Sequence, residues 1–423
     1  MFLYREVAHF MPDCQVLNLI NNPFCFLSFL WCQIKVAPFA PDLVAPFHRI
    51  GGTLSPDWWH YIVRISHQIG KSIAFIVNHP VKREIFAADF RDRIVHHWLI
   101  NKLNPLFEKE FIYDSYACRV GKGTNLGIKR VASFIKYTSK KYTQDCYILK
   151  LDILGYFMHI NRNILFEKLQ LFIHQHYEFE DKSLVISLCQ QIIYNDPTKN
   201  CIIKGKKSNW DSLPKNKSLF HSPPNCGLPI GNLTSQVFAN FYLNHFDQYL
   251  KKELKVALYG RYVDDFVIIH SNKEYLKSLI PQLSNFLHST LKLTLHPKKI
   301  YLQHYTKGVK FLGTVIKPNR IYIANRTKGN FYNAIQTHNK VVAFAKPTKK
   351  EINSFLSSMN SYLGIMKHYK TYKLRRNMIA KHLHFWWWNH INITPEITKF
   401  VVKKKKQRTA NSTYKKLAVQ CFV

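Results

Sequence analysis

The chain has 423 residues, 47% of them hydrophobic and 14% aromatic, enough to bury a large core and to argue against a disordered polypeptide. Its 61 Lys and Arg against 25 Asp and Glu give a net charge of +36. Self-repulsion of that size opposes compaction and favours a polyanionic partner, with nucleic acid first because it neutralises many lysines at once. A basic membrane-surface protein and a ribosome-associated structural protein are the other classes with this balance. The basic residues run along the whole chain, which fits a long binding channel better than a basic tail.

The nine cysteines show no C-x-x-C pair, and the 21 histidines no His-x-x-x-His pattern, so a disulfide framework and a zinc site are not expected. A reduced, cytoplasmic setting is. Phe24 to Trp31 is apolar, but Lys35 and Pro38 end it well short of the roughly 20 residues a spanning helix needs. Residues 1–55 are read as a poorly specified N-terminal extension, and no membrane association is expected.

From Trp58 the pattern is legible. Ser72 to Val77 reads as a strand, and Val81 to Phe86 follows it. Phe90, Ile94, Val95, Trp98 and Leu99 have the spacing of an amphipathic helix. In Phe111 to Thr124, the turn Gly121-Lys122-Gly123 resembles a phosphate-cradling loop without the Walker spacing, and Arg119 and Lys122 are candidates to clamp a triphosphate. Tyr147 to Ile153 is a short apolar strand interrupted by one acid, Asp152. Five positions on, Phe157 is either a ring that bars a ribose 2′-hydroxyl or simple core. Residues 196–226 are polar and rich in Lys, Asn and Pro, with isolated aromatics at Trp210 and Phe220, the composition of a long loop.

Gly227 to Gln236 is a Gly/Pro turn feeding a buried helix, and a helix N-terminus offers free N–H groups to an anion or a base pair. The apolar run Val256 to Ile269 contains Tyr262-Val263-Asp264-Asp265. Two adjacent acids in such a run belong at a hairpin tip, and pairing with the Asp152 strand would set Asp152 against Asp264, as a two-metal transfer site needs. A helix over Glu274 to Thr290, the segment Leu293 to Lys299 and a strand Val309 to Val315 follow. Thr348 and Glu351 form a capping box. Behind it Ile352, Phe355, Leu356, Met359, Tyr362, Leu363 and Met366 mark one helical face. The basic run Lys367 to Arg376 suits a nucleic-acid backbone. Phe385-Trp386-Trp387-Trp388 is read as core or partner surface, and a basic tail runs from Lys403 to Lys416.

Taken in order, these blocks resemble the reverse transcriptases, from about Ile73 to about Ala380. They are Arg83 with Arg91-Asp92-Arg93, Tyr116 to Thr124, Leu151-Asp152-Ile153 with Phe157, Leu228 to Gln236, Tyr262 to Asp265, Lys299, and Phe311-Leu312-Gly313. Ile230 to Gln236, and the preceding loop with Trp210 and Lys217-Ser218-Leu219, look most similar to the enzymes of diversity-generating retroelements.

The resemblance implies an α+β right-hand polymerase: fingers over 56–140, a palm of antiparallel sheet backed by helices over 141–325, a helical thumb over 326–395, and a tail over 396–423. It implies RNA-directed DNA synthesis from a DNA or RNA primer on an RNA template with dNTPs. Two Mg²⁺ ions, with Mn²⁺ as substitute, would be held by Asp152, Ile153, Asp264 and Asp265. Arg119, Lys122, Phe157, Ile230, Gly231, Ser235 and Gln236 would meet the nucleotide, with Phe157 as gate. Tyr262, Phe311, Leu312 and Gly313 would meet primer or template, and Lys299 the departing pyrophosphate. Many viral enzymes have Gln where this chain has Ile230, and in the retroelement enzymes the apolar residue goes with errors opposite template adenine. A small basic accessory protein is an expected partner. Nothing after Ala380 reads as an RNase H, integrase or endonuclease domain. The competing readings are a stand-alone retron-type or phage-defence reverse transcriptase and a non-catalytic RNA-binding remnant; an RNA-copying RNA polymerase fits Phe157 poorly.

Overall fold

A computed structural model of the chain describes residues 69–78 and 81–403. The expected N-terminal extension, Pro80 and the tail beyond Lys403 lie outside the described residues.

Strands β1 (Ser72–Val77) and β2 (Arg83–Ala87) form an antiparallel pair in the register Ile73 with Ala87 and Val77 with Arg83. Helix α1 (Phe90–Glu110) follows, its first turn capped by Asp89, which accepts from Arg91 N–H. Val95, Leu99, Leu103 and Phe107 repeat every fourth residue along its buried stripe. Helix α2 (Thr124–Thr138) leads to β3 (Tyr147–Asp152). Then come the single turn α3 (Tyr156–His159), α4 (Arg162–His176) and α5 (Lys182–Tyr194).

The segment read as one long loop over 196–226 is more ordered than its composition suggests. Strand β4 (Cys201–Ile203) adds to β1 in parallel, with Ser72 opposite Cys201. Three 3₁₀ turns over Lys207–Trp210, Lys215–Lys217 and Leu219–His221 follow. Polar composition hides this order because the segment is anchored by a few side chains rather than by a periodic face.

Helix α6 (Leu233–Gln248) is buried on nearly every side. Beyond it β5 (Tyr259–Tyr262) and β6 (Asp265–His270) make the expected hairpin, and α7 (Lys273–Leu291) is capped by Asn272. Strand β7 (Tyr301–His304) closes a four-stranded antiparallel sheet in the order β5-β6-β3-β7. Alternate residues of this sheet serve two cores. Leu149, Leu151, Phe266 and Ile268 pack with α1 and α4–α7. Ile148, Val267 and Ile269 pack with Ile128 and Val131 of α2. Truncating any of these buried aliphatic side chains to Ala would cost about 2–5 kcal/mol.

The single strand expected over Val309 to Val315 is a hairpin, β8 (Val309–Phe311) and β9 (Thr314–Lys317), continued by β10 (Arg320–Ile323). Leu312 and Gly313 turn the chain with φ of 47° and 79°, the two positive values a tight two-residue hairpin requires.

Helices α8 (Asn325–Phe344), α9 (Lys349–Met366) and α10 (Tyr372–His382) then build a separate core around Phe331, Phe355, Met359 and Leu363. The Thr348–Glu351 capping box forms as read. The aromatic run splits: Trp387 is buried and stacked on Phe355 at 4.2 Å, whereas Phe385 and Trp386 are 66% and 43% exposed. Residues 396–403, assigned to the tail by charge alone, are not all tail. β12 (Phe400–Val402) pairs with β11 (Ile391–Ile393), and Phe400 is part of the α8–α10 core. The architecture is α+β. Among the described residues no helix is long and apolar enough to cross a membrane.

Candidate active site

The β3–β6 ladder sets Asp152 directly opposite Asp265, not opposite Asp264 as expected, because Asp264 falls in the turn just before β6. Paired antiparallel residues have Cα atoms about 5 Å apart, so Asp152 and the sequence-distant Asp264–Asp265 pair meet at one end of the sheet. Val263 and Asp264 are the two residues of the β5–β6 turn. Val263 takes φ 58°, a left-handed conformation that a β-branched residue adopts only when its surroundings impose it.

Arg261 supplies that constraint. It is fully buried and donates to the Val263 carbonyl at 2.9 Å. It also pairs with Asp247 through Nε at 2.7 Å and Nη2 at 2.6 Å. Tyr259 donates to the same carboxylate at 2.6 Å, and Asn240 Oδ1 accepts from Arg261 at 3.1 Å. Burial alone would lower the Arg261 pKa, but the Asp247 carboxylate more than offsets it and holds the guanidinium charged.

Cations flank the acids. Lys299 Nζ lies 3.0 Å from both oxygens of Asp152, and Lys150 Nζ 3.0 Å from Asp265 Oδ2. Lys299 reaches this position because the chain after α7 runs along the end of β3. There His296 N–H donates to the Asp152 carbonyl at 2.8 Å and Leu154 N–H to Thr294 O at 2.9 Å, fixing the backbone on either side of Ile153. Burial, with Asp152 next, pushes the Asp264 carboxyl up to about 7. Burial likewise raises Asp265 to about 6 against the pull of Lys150.

Among the described residues no three acid, His or Cys side chains already form a metal cage. The donors nonetheless suit a hard divalent cation. Asp265 Oδ1 is buried without a hydrogen-bond partner among the described residues, and Asp264 is held in a field that resists its negative charge. Mg²⁺ ordinarily takes one or two carboxylates and completes its shell with substrate phosphates and water.

The other candidates fall into groups. Phe157 and Ile230 pack on one small cluster with Ala74, Phe86, Met158 and Leu219. Ile230 O accepts from Phe86 N–H at 2.8 Å, and Gly231 (φ 134°) has no room for a side chain, since a Cβ would stand 2.6 Å from Phe86 O. Ser235 is buried, and Gln236 Oε1 accepts from Cys118 Sγ at 3.2 Å. Tyr262, Phe311 and Leu312 share the core beneath α2, which places the β8–β9 turn beside the acid-bearing hairpin.

Arg119 is the correction. Its side chain is 4% exposed and is consumed inside the fold, pairing with Glu108 at 2.7 Å and donating to Ile112 O and Ser115 O at 2.6 and 2.9 Å. A guanidinium tied down this way holds the 111–119 segment to α1 and is not offered to a triphosphate. Lys122 places its ammonium over the Tyr113 ring at 3.3 Å, donating to Tyr113 O at 3.1 Å, and stays at the surface. Lys150, Arg261 and Asp247 do not stand out in the sequence. Lys150 has a signal all the same: it lies two residues before Asp152, hence on the same face of β3.

The site is thus an antiparallel sheet that carries paired acids at a strained hairpin tip and is backed by buried helices. The family model described as reverse transcriptase (RNA-dependent DNA polymerase) matches residues 82–316, more than half of the chain, and the chain belongs to that family. Protein YkfC of Escherichia coli strain K12 is 24% identical over 255 residues, 53% of this chain and 60% of that protein. The group II intron-encoded protein LtrA of Lactococcus lactis is 37% identical over 67 residues, 16% of this chain and 11% of that protein. This chain therefore spans less than two thirds of either relative. Among solved structures, apo telomerase from Candida tropicalis aligns at a TM-score of 0.45 and 14% identity, over 84% of this chain and 63% of that one. A Candida albicans telomerase solved with a telomeric RNA fragment aligns at 0.44 and 12%, over 77% and 57%.

Proposed function

We propose that the protein is an RNA-directed DNA polymerase that extends a primer 3′-hydroxyl with dNTPs on an RNA template. The observation that carries this is the β3–β6 register, which brings Asp152, Asp264 and Asp265 to one sheet end with Lys299 among them. Divalent cations, Mg²⁺ first, held by Asp152, Asp264 and the main chain at Ile153 would activate the 3′-hydroxyl and neutralise the leaving pyrophosphate. Asp152 and Asp264 provide the anionic seat. Asp265, paired with Lys150, holds the turn beside them. Lys299 places a cation where negative charge builds on the leaving group. Phe157 walls the sugar side of the pocket and Ile230 the base side, and the β8–β9 turn supports the primer.

The apolar Ile230 supports the narrower reading: error-prone copying for a diversity-generating retroelement, together with a structured RNA and a small basic protein. Oligonucleotide-primed extension on an RNA template, with dNTPs against NTPs, tests the activity, and Asp152→Asn is the control. Product incorporated from dNTPs only and lost in that variant is expected. Extension with NTPs alone, or none, would overturn the assignment. Sequencing of the products tests the retroelement reading, which predicts errors concentrated opposite template adenine; an even spectrum favours a retron-type or defence enzyme.

A further inference from the structure

Glu84, on β2, is 1% exposed, and its carboxylate accepts three hydrogen bonds from a single distant segment. The donors are Trp210 Nε1 at 2.7 Å, Ser218 Oγ at 2.8 Å and Leu219 N–H at 2.5 Å. All three are neutral. Burying a carboxylate is costly unless its lone pairs are met, so this arrangement specifies where the segment docks rather than merely allowing it.

The docked segment reaches the nucleotide side of the site from behind. Leu219 and Trp210 join the cluster against which Phe157 and Ile230 pack, and the Phe220 ring lies 5.5 Å from Phe86. The Asn216 carbonyl covers Gly155, where a Cβ would stand 2.8 Å from it. Gly155, at φ 54°, is the residue from which α3 and Phe157 start. Strand β2 links the two sides, since successive residues of a strand point to opposite faces. Arg83, whose charge is felt at Asp264 and Tyr262, alternates along β2 with Glu84, which is buried in the clasp.

We infer that residues 205–222 form a backing plate for the nucleotide pocket, and that Glu84 is the positioning residue that clamps it. The plate sets how firmly Phe157 and Ile230 are held, and so how well the site tells a deoxyribonucleotide from a ribonucleotide. This rests on the polymerase reading above and adds to it a determinant of selectivity that lies outside the pocket.

The test is single-nucleotide primer extension on an RNA template with the full-length protein, measuring kcat and KM for a dNTP and the matching rNTP. The variants are Glu84→Ala, Glu84→Gln, Trp210→Phe and Ser218→Ala. Losing the acceptor leaves three buried donors unmet. Glu84→Ala should therefore raise the dNTP KM and lower dNTP/rNTP selectivity by roughly fivefold or more, with kcat and template–primer affinity within about twofold. Glu84→Gln, which keeps an acceptor oxygen, should recover most of that loss. Trp210→Phe and Ser218→Ala each remove one donor while leaving the apolar packing, and should show smaller shifts of the same kind. They decide the matter if Glu84→Ala does not fold. Wild-type selectivity in both, in protein shown folded by circular dichroism, overturns the clamp, as does a fall in kcat alone. A wild-type protein that extends nothing overturns the polymerase reading and the clamp with it. Extension with selectivity unmoved by the variants overturns only the clamp.

Discussion

Replacing Asp247 by Asn tests how the acid-bearing turn is held. The Arg261–Asp247 pair is fully buried, and its guanidinium also holds the carbonyl of Val263, the residue kept at positive φ. The Asp247→Asn change would preserve shape and leave the cation without its counter-charge. Removing one partner of a buried pair typically costs about 3–5 kcal/mol, which for a domain of this size corresponds to a fall in melting temperature on the order of 10 °C. Thermal unfolding followed by circular dichroism measures it. The informative companion is the double variant D247L/R261M. Apolar side chains of similar volume can restore or exceed the stability of a buried ion pair, but they give Val263 O no donor. The double variant should therefore melt above D247N but below the wild type, because Tyr259 O–H and Asn240 Oδ1 also lose their partners. It should still lose at least roughly tenfold in primer extension, the equivalent of about 1.4 kcal/mol of misplaced transition-state contact. A double variant that is stable and fully active would refute the argument that Arg261 positions the turn.

Asp152→Asn and Asp264→Asn should each abolish extension while leaving the fold intact, checked by activity against unfolding temperature. Either result in reverse would remove these acids from the chemistry. Asp264 is raised from 3.8 to about 7, so the folded protein holds a proton the unfolded chain has lost. Without divalent cation, that group's contribution to stability should decline as pH rises from about 4 through about 7. Added Mg²⁺ at pH 8 should then raise the melting temperature, and the acid limb of the activity profile should move to lower pH as Mg²⁺ increases. Arg119→Ala should lower stability by about 1–3 kcal/mol through the unpaired Glu108 and freed carbonyls. Its dNTP KM should change less than about twofold, whereas a large KM effect would reinstate Arg119 as a triphosphate contact. Phe157→Val should admit rNTPs, read as a rise in rNTP kcat/KM of roughly tenfold or more; unchanged discrimination would make Phe157 plain core.

The acids are legible in the sequence because they contradict their surroundings. A carboxylate in an apolar strand has a high cost of burial, so Asp152 and the Asp264–Asp265 pair stand out on composition alone, and the period of two within each strand fixes which neighbours share their face. Arg119 misleads for the opposite reason. A guanidinium beside a Gly-Lys-Gly turn looks like an anion site, and nothing in local spacing says that Glu108, eleven positions earlier on α1, has already taken it. Arg261 and Glu84 escape notice because charged residues near a loop or strand end are ordinarily solvated. Their burial follows only from the packing of α6 against β5, and of the 205–222 segment against β2. The β8–β9 hairpin escapes it too, because Leu312 at positive φ runs against residue preference and is held by its packing beneath α2.

The lysines around the acids complete the physical account. Three carboxylates crowded at one end of a hydrophobic sheet repel each other, and two of them are pushed toward their neutral forms. Lys299 on Asp152 and Lys150 on Asp265 offset part of that repulsion with side chains 45% and 19% exposed, respectively. The two therefore differ in what they can do. Lys150, enclosed by the sheet, is fixed to Asp265 and keeps that acid oriented. Lys299, on a long stem at the open edge, can swing away from Asp152 at little cost, since an exposed ion pair is worth at most about 1 kcal/mol. Under the proposed function, the arrangement leaves Asp152, Asp264 and the unpartnered Oδ1 of Asp265 to an incoming cation, and leaves Lys299 free to follow the phosphate charge that arrives with it. On this reasoning Lys150→Met should disturb the fold of the site, and Lys299→Met should spare the fold and slow the chemistry. Melting temperature and kcat, measured together on the two variants, separate the roles; equal effects of both on both quantities would show that the lysines are interchangeable counter-ions.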